Sequence, residues 1–230
     1  MPTTEITLLH PTITGGDKAA HGQAISRTNG HMEAYSELDT PQSCYFGRQV
    51  EYPDLVEAMI TWKDALAHDE KHRAHASVED GLHSLPPGNL FINRVSFSPF
   101  DDFTKAITAP VTEVATLYYN GTPPPDSMDG LVEMRRVFSK HQIPGWRALA
   151  GGITHEAVEY EGAKGKAVVL VIGWESVEQH MAWRATQLYA ETLHLWPRGA
   201  EKLEMHHTAF RSDLNALTDG TQAACSSRPV

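Results

Sequence analysis

Several sequence blocks occur twice in this chain, in the same order, at offsets of roughly 108 to 113 residues. Pro2-Thr-Thr-Glu-Ile-Thr-Leu-Leu-His10 lines up with Pro110-Val-Thr-Glu-Val-Ala-Thr-Leu-Tyr118. Leu55-Val-Glu-Ala-Met-Ile-Thr-Trp62 lines up with Ala167-Val-Val-Leu-Val-Ile-Gly-Trp174; each ends in Trp, with a His six residues on, at His68 and His180. Leu82-His-Ser-Leu-Pro-Pro-Gly88 matches Leu193-His-Leu-Trp-Pro-Arg-Gly199, and Leu90 to Phe97 matches Leu203 to Phe210. One match would be weak. The ordered set implies a duplicated unit.

Each copy reads as one supersecondary pattern. The first blocks are strands. Helices follow, within Asp17 to Leu38 and over about Ser127 to His141, the latter with Leu131, Met134 and Phe138 as its apolar stripe. Second strands are expected at Ser43 to Glu51 and Gly152 to Tyr160, with turns at Tyr52-Pro-Asp54 and at Glu161 to Lys166. The Trp-terminated runs are third strands. Second helices follow at about Lys63 to Ala76 and Ser176 to Leu193, with Ser176 as N-cap. The last blocks are fourth strands. The order β-α-β-β-α-β is the ferredoxin-like plan. Its sheet carries helices on one face, so the other face needs a cover. The expected fold is therefore α+β: two tandem ferredoxin-like halves, 1–99 and 110–211, packed sheet to sheet as a pseudo-dimeric α/β barrel. Residues 100–109 join them, and 212–230 form a disordered tail.

Composition narrows the function classes. The formal charge is −10 with no basic cluster, which argues against nucleic acid or an anionic membrane as partner. No apolar run approaches the ~18 residues of a membrane-spanning helix. Met1-Pro-Thr-Thr-Glu lacks the basic-then-apolar order of a signal peptide, so a cytoplasmic setting is expected. Cys44 and Cys225 read as lone thiols of a reducing compartment. No P-loop, dinucleotide fingerprint, Cys-based zinc site or nucleophile elbow is present.

The element Trp174-Glu-Ser-Val-Glu-Gln-His180, following a Val/Ile strand, resembles the antibiotic-biosynthesis-monooxygenase-like branch of the dimeric α/β-barrel superfamily. The resemblance covers roughly residues 3 to 211. It implies two units that ordinarily dimerise, fused here in one chain, in the manner of proteins of fungal secondary metabolism. It also implies small-molecule chemistry without fixing it, because relatives include cofactor-free monooxygenases, polyketide cyclases, lyases, haem enzymes and proteins of no known activity.

The candidate residues follow from position and residue type. On the last strand Met205 and His207 share one face and His206 takes the other. The first half has Asn93 and Arg94 there, so His206 and His207 mark the second half as active. A buried imidazole is a suitable acid or base near neutral pH. Tyr118 is the candidate oxyanion donor, with Tyr119 beside it. His207, His206 and Tyr118 are thus the catalytic candidates. Trp174, Tyr119, Trp146, His180 and Met205 are the substrate-binding ones. Each has an ordinary explanation: Trp62 and Trp174 lock strand to helix, and His68 and His180 pack helices. His83 and His194 bond local backbone in turns, and Arg48 pairs with Glu51. His68, His72 and His75 share a helix face; no metal site is assigned to them.

The expected function is a cofactor-independent enzyme of polyketide-like or aromatic metabolism. His/Tyr acid–base chemistry would serve either cyclisation and isomerisation or O2-dependent monooxygenation. The alternative is a non-catalytic small-molecule-binding or stress-response barrel. The expected partner is a small-molecule substrate, and the chain is a monomer or a homodimer.

Overall fold

The computed structural model describes residues 2–9, 41–53, 55–62 and 90–212. The helices expected within 17–38 and 63–76, together with His10, His68, His72, His75 and His83, lie outside the described residues. So does the tail from 213 on.

Two compact units are present: 93–210 with 1–4, and 5–92 with 211–230. The second contains β1 (Thr3–Leu9, in part), β2 (Pro41–Arg48), β3 (Val56–Trp62) and half of β4 (Leu90–Val95), strands of a sheet of order β2-β3-β1-β4. β2 and β3 form an antiparallel hairpin, closed where the Leu55 N–H donates to the Tyr52 carbonyl at 2.8 Å.

The other unit begins with α1 (Phe100–Ile107) and β5 (Val111–Tyr118). It continues through α2 (Asp129–Lys140), β6 (Trp146–Ile153), β7 (Val158–Tyr160), β8 (Ala163–Gly165) and β9 (Ala167–Trp174). It ends with α3 (Val177–Arg184), α4 (Gln187–Thr192), a 3-10 turn at Leu193–Leu195 and β10 (Lys202–Thr208). Four strands pair antiparallel in the order β10-β5-β9-β6. β9 has neighbours on both sides and every residue buried, which is why it reads as an unbroken apolar run. α2 buries Leu131, Met134 and Phe138, the expected stripe, against Leu149, Leu170 and Ile172 of the sheet. Each such side chain contributes about 1.5–3 kcal/mol.

The structure corrects the sequence reading in four places. The segment expected only to join the halves carries α1, which buries Phe103, Ala106 and Ile107. The second strand of the second half runs from Trp146, not Gly152. Residues 158–165 form a separate two-stranded hairpin. The long last helix is broken, because Thr186 accepts a hydrogen bond from the Tyr189 N–H at 3.1 Å and caps a new helix. Among the described residues no helix is long and apolar enough to cross a membrane.

Candidate functional site

The site is built where β5, β9, α3 and β10 meet. On β5, Glu113 shares its face with Ala115 and Leu117, the face covered by α2 and α3. Opposite it in register on β10 stands His207. β9 ends at Trp174, and the chain turns into α3 with Ser176 as N-cap, its hydroxyl accepting from the Gln179 N–H at 3.3 Å. Four residues after the cap, one turn into the helix, His180 faces back toward the strands.

These side chains form one hydrogen-bonded chain. Trp174 donates Nε1–H to Glu113 Oε2 at 3.0 Å. His180 Nε2 lies 3.2 Å from the same oxygen. His180 Nδ1 lies 2.7 Å from His207 Nε2. The indole stacks on the His180 ring at 4.7 Å and 23°. Glu113 is 1 % exposed, His180 2 % and His207 4 %.

Donor logic fixes the protons. A carboxylate only accepts, so His180 holds its proton on Nε2 and presents the Nδ1 lone pair. His207 must then donate from Nε2 and carry its lone pair on Nδ1. A proton taken up at Nδ1 can pass through Nε2–H to His180, where the positive charge sits against Glu113. The low dielectric strengthens this charge-assisted contact.

Glu113, His180 and His207 also form the one set of potential metal ligands found among the described residues, with ligand atoms within 4.8 Å of one another. Their geometry is that of the hydrogen-bonded chain. Both His180 nitrogens face a partner, and a shared ion at about 2.0–2.1 Å from each nitrogen would have to displace the bridging proton.

The candidates divide as follows. His207 and His180 are brought together. Met205, half-buried, precedes His207 by two residues on the same face and packs against the helix-side core. Trp174, expected as a pocket wall, is buried and serves Glu113. Trp146, expected as a substrate-binding residue, lies in β6 with its ring edge-on to Phe138 at 5.4 Å. Tyr119 joins the helix-side core beyond the end of β5.

His206 and Tyr118 take the opposite face of the sheet and do not reach the chain. Tyr118 donates its hydroxyl to Glu204 Oε2 at 2.9 Å and stacks on Tyr160 at 4.3 Å. Burial, reinforced by the Glu204 charge, raises the Tyr118 phenol well above its ordinary value. Elsewhere His194 donates from Nδ1 to the Glu191 carbonyl at 2.7 Å, as a turn histidine should. Arg94, at the position of His207 in the first half, is ion-paired with Glu156.

Glu113 was not among the sequence candidates. Its signal was the aligned Glu5 and Glu113, the one charged residue in each of the two first strands. A carboxylate there demands buried donors, which a sequence does not reveal.

No family model matches this chain, and no curated protein does. Solved structures do match. An anthrone oxidase-like protein aligns over 92 % of this chain and 93 % of its own, with TM-score 0.55 and 14 % identity. A suggested monooxygenase from Fusobacterium nucleatum aligns over 91 % and 92 %, with TM-score 0.53 and 10 % identity. A suggested chlorite dismutase aligns over 95 % and 98 %, with TM-score 0.54 and 11 % identity. The likeness is one of fold. It agrees with the expected α+β class.

Proposed function

We propose that this protein is an enzyme that removes a proton from an activated carbon or phenol of a small oxygenated aromatic or polyketide-like molecule, with His207 as the base. The observation that carries this is the 2.7 Å contact between His180 Nδ1 and His207 Nε2, backed by Glu113. A base that hands its charge to a second imidazole beside a buried carboxylate holds the cation where solvent cannot. His207 is the catalytic residue. His180, Glu113 and Trp174 position it and stabilise the charge.

The enolate or phenolate so formed can close a ring or react with O2. The fold is shared with an anthrone oxidase-like protein and a suggested monooxygenase, which favours the oxygen-consuming branch. For an anthrone-type methylene the balance is CH2 + O2 → C=O + H2O, with O2 as the only co-reactant and oxidant. No resident cofactor is assigned to this chemistry. The wider reading keeps the tandem halves packed sheet to sheet as a pseudo-dimer, monomeric or paired through outer helices, in the cytoplasm. The second half is the active one, since the first has Arg94 at the place of His207.

The test is turnover of anthrone and of a β-diketone, followed by O2 uptake and product absorbance. His207→Gln should lose roughly 10²- to 10⁴-fold in kcat/KM while its circular dichroism stays that of the parent. Full activity in that variant would remove His207 as base. No turnover in the parent with either compound would favour the binding-protein reading.

A further inference from the structure

Tyr118 and Tyr160 stack face to face, ring centroids 4.3 Å apart and planes 12° from parallel. The Tyr118 hydroxyl donates to Glu204 Oε2 at 2.9 Å. Strand register makes this contact. Glu204 on β10 stands opposite Thr116 on β5, two residues from Tyr118 and so on the same face, the one away from the imidazole chain. Tyr118 is buried with Ala163 and Ala167, and Val158 and Tyr160 pack against the three.

Backbone contacts hold Tyr160 where it is. It ends β7 and pairs with Ala163 of β8. That hairpin is tied to the turn after β5. The Gly121 N–H donates to the Lys164 carbonyl at 2.9 Å, and the Lys166 N–H donates to the Gly121 carbonyl at 2.7 Å. Asn120 Oδ1 accepts from the Lys164 N–H at 3.0 Å. A Cβ on Gly165 would run into the Gly121 backbone, so hairpin and turn have no room to slide.

A buried hydroxyl needs only an acceptor, and a carbonyl would serve. A half-buried carboxylate is a costlier neighbour, and it adds a base. Burial, with the Glu204 charge, raises the Tyr118 phenol above its ordinary value, so at rest the proton stays on Tyr118. Loss of an electron reverses this. An oxidised phenol is a strong acid, and the electron leaves readily only where a base takes the proton. We propose that Tyr118 is a one-electron donor to small oxidants, phenoxyl radicals or high-potential metal complexes, with Tyr160 as the ring that meets the oxidant and Glu204 as the proton acceptor. The oxidant gains one electron. The Tyr118 O–H bond breaks, its proton passes to Glu204 Oε2, and a neutral phenoxyl radical remains, its hole shared with the stacked Tyr160 ring. The site stands apart from the proposed function and needs no turnover to be tested.

The test mixes the full chain, its cysteines alkylated, with one equivalent of hexachloroiridate(IV) in a stopped-flow instrument. Nitroso spin-trap adducts are then located by peptide mass spectrometry. Tyr52, 61 % exposed, is the internal control, a phenol open to water. Adducts should form on Tyr118 or Tyr160 ahead of Tyr52. Glu204→Gln keeps an accepting oxygen, so its circular dichroism should stay that of the parent, but an amide takes no proton. It should slow reduction of the iridium complex roughly ten-fold or more, the worth of a hydrogen bond to a charged acceptor. Tyr118→Phe should slow it as much. Tyr160→Phe preserves the stack and should slow it too. Adducts first at Tyr52 or at a tryptophan, or an unchanged rate in Glu204→Gln or Tyr160→Phe, would each overturn the proposal.

Discussion

Glu113 and His207 face each other across β5 and β10, and His180 from α3 hydrogen-bonds to both, at 3.2 Å and 2.7 Å. Strand register sets the two ends of the chain, and a helix N-terminus sets its middle. The site therefore depends on the docking of α3 as much as on the sheet.

Glu113 holds two buried N–H donors, from Trp174 and His180. Glu113→Ala leaves both without that acceptor, and should cost about 2–5 kcal/mol in urea unfolding at pH 7. Glu113→Gln keeps an accepting oxygen and the shape while losing the charge. It should cost less than the alanine change and still lower kcat by roughly ten-fold or more. Equal stability of the parent and the alanine variant would show that the carboxylate holds neither donor.

Ser176 fixes where α3 begins, and so where His180 points. Ser176→Ala removes the acceptor of the Gln179 N–H and should cost about 1 kcal/mol. Because His180 lies one turn on, kcat should fall while KM changes little, and Ser176→Asp, another capping residue, should restore the rate. A stability loss without a rate change would show that α3 holds its register without the cap.

Tyr118 gives a pH dependence of known sign. In the folded protein burial and Glu204 keep the phenol protonated, whereas in the unfolded chain it ionises near pH 10. Above that value the unfolded state binds fewer protons than the folded state, so stability falls as pH rises, by up to about 1.4 kcal/mol per pH unit. Tyr118→Phe should lose stability less steeply than the parent between pH 10 and 11.5 in urea unfolding. Parallel curves would place the Tyr118 hydroxyl in water.

The α2 stripe was legible because the helical period is a property of the chain itself. Ser176 was legible because a cap is a local choice. The second strand of the second half was misplaced. Ala148-Leu-Ala-Gly-Gly152 has small residues of low strand propensity, while Val158-Glu-Tyr160 alternates as a strand should. Pairing with β9 decides the matter, since Leu149 stands opposite Ile172 and Gly152 opposite Val169. His207 drew notice because Arg94 stands at the aligned position, whereas Glu113 aligns with Glu5 and its donors, Trp174 and His180, come from two other elements.

α1 was the least legible helix, and one glycine tests how it is held. Gly173 lies on β9 next to Trp174, and a Cβ there would come within 2.8 Å of Ala106 Cα and 2.9 Å of Ala109 Cβ. The Thr112 hydroxyl donates to the Ala106 carbonyl at 2.9 Å, so the end of α1 is tied to β5 as well. Backbone on one side and strand on the other leave little room to yield. Gly173→Ala should therefore destabilise by about 1–3 kcal/mol through overpacking. Ala106→Gly in the same chain does not move the nearest atom, which is backbone, and should not rescue it. A neutral Gly173→Ala would mean that α1 rides on the sheet loosely enough to shift. In that case Trp174, the next residue, should also tolerate displacement without loss of its bond to Glu113.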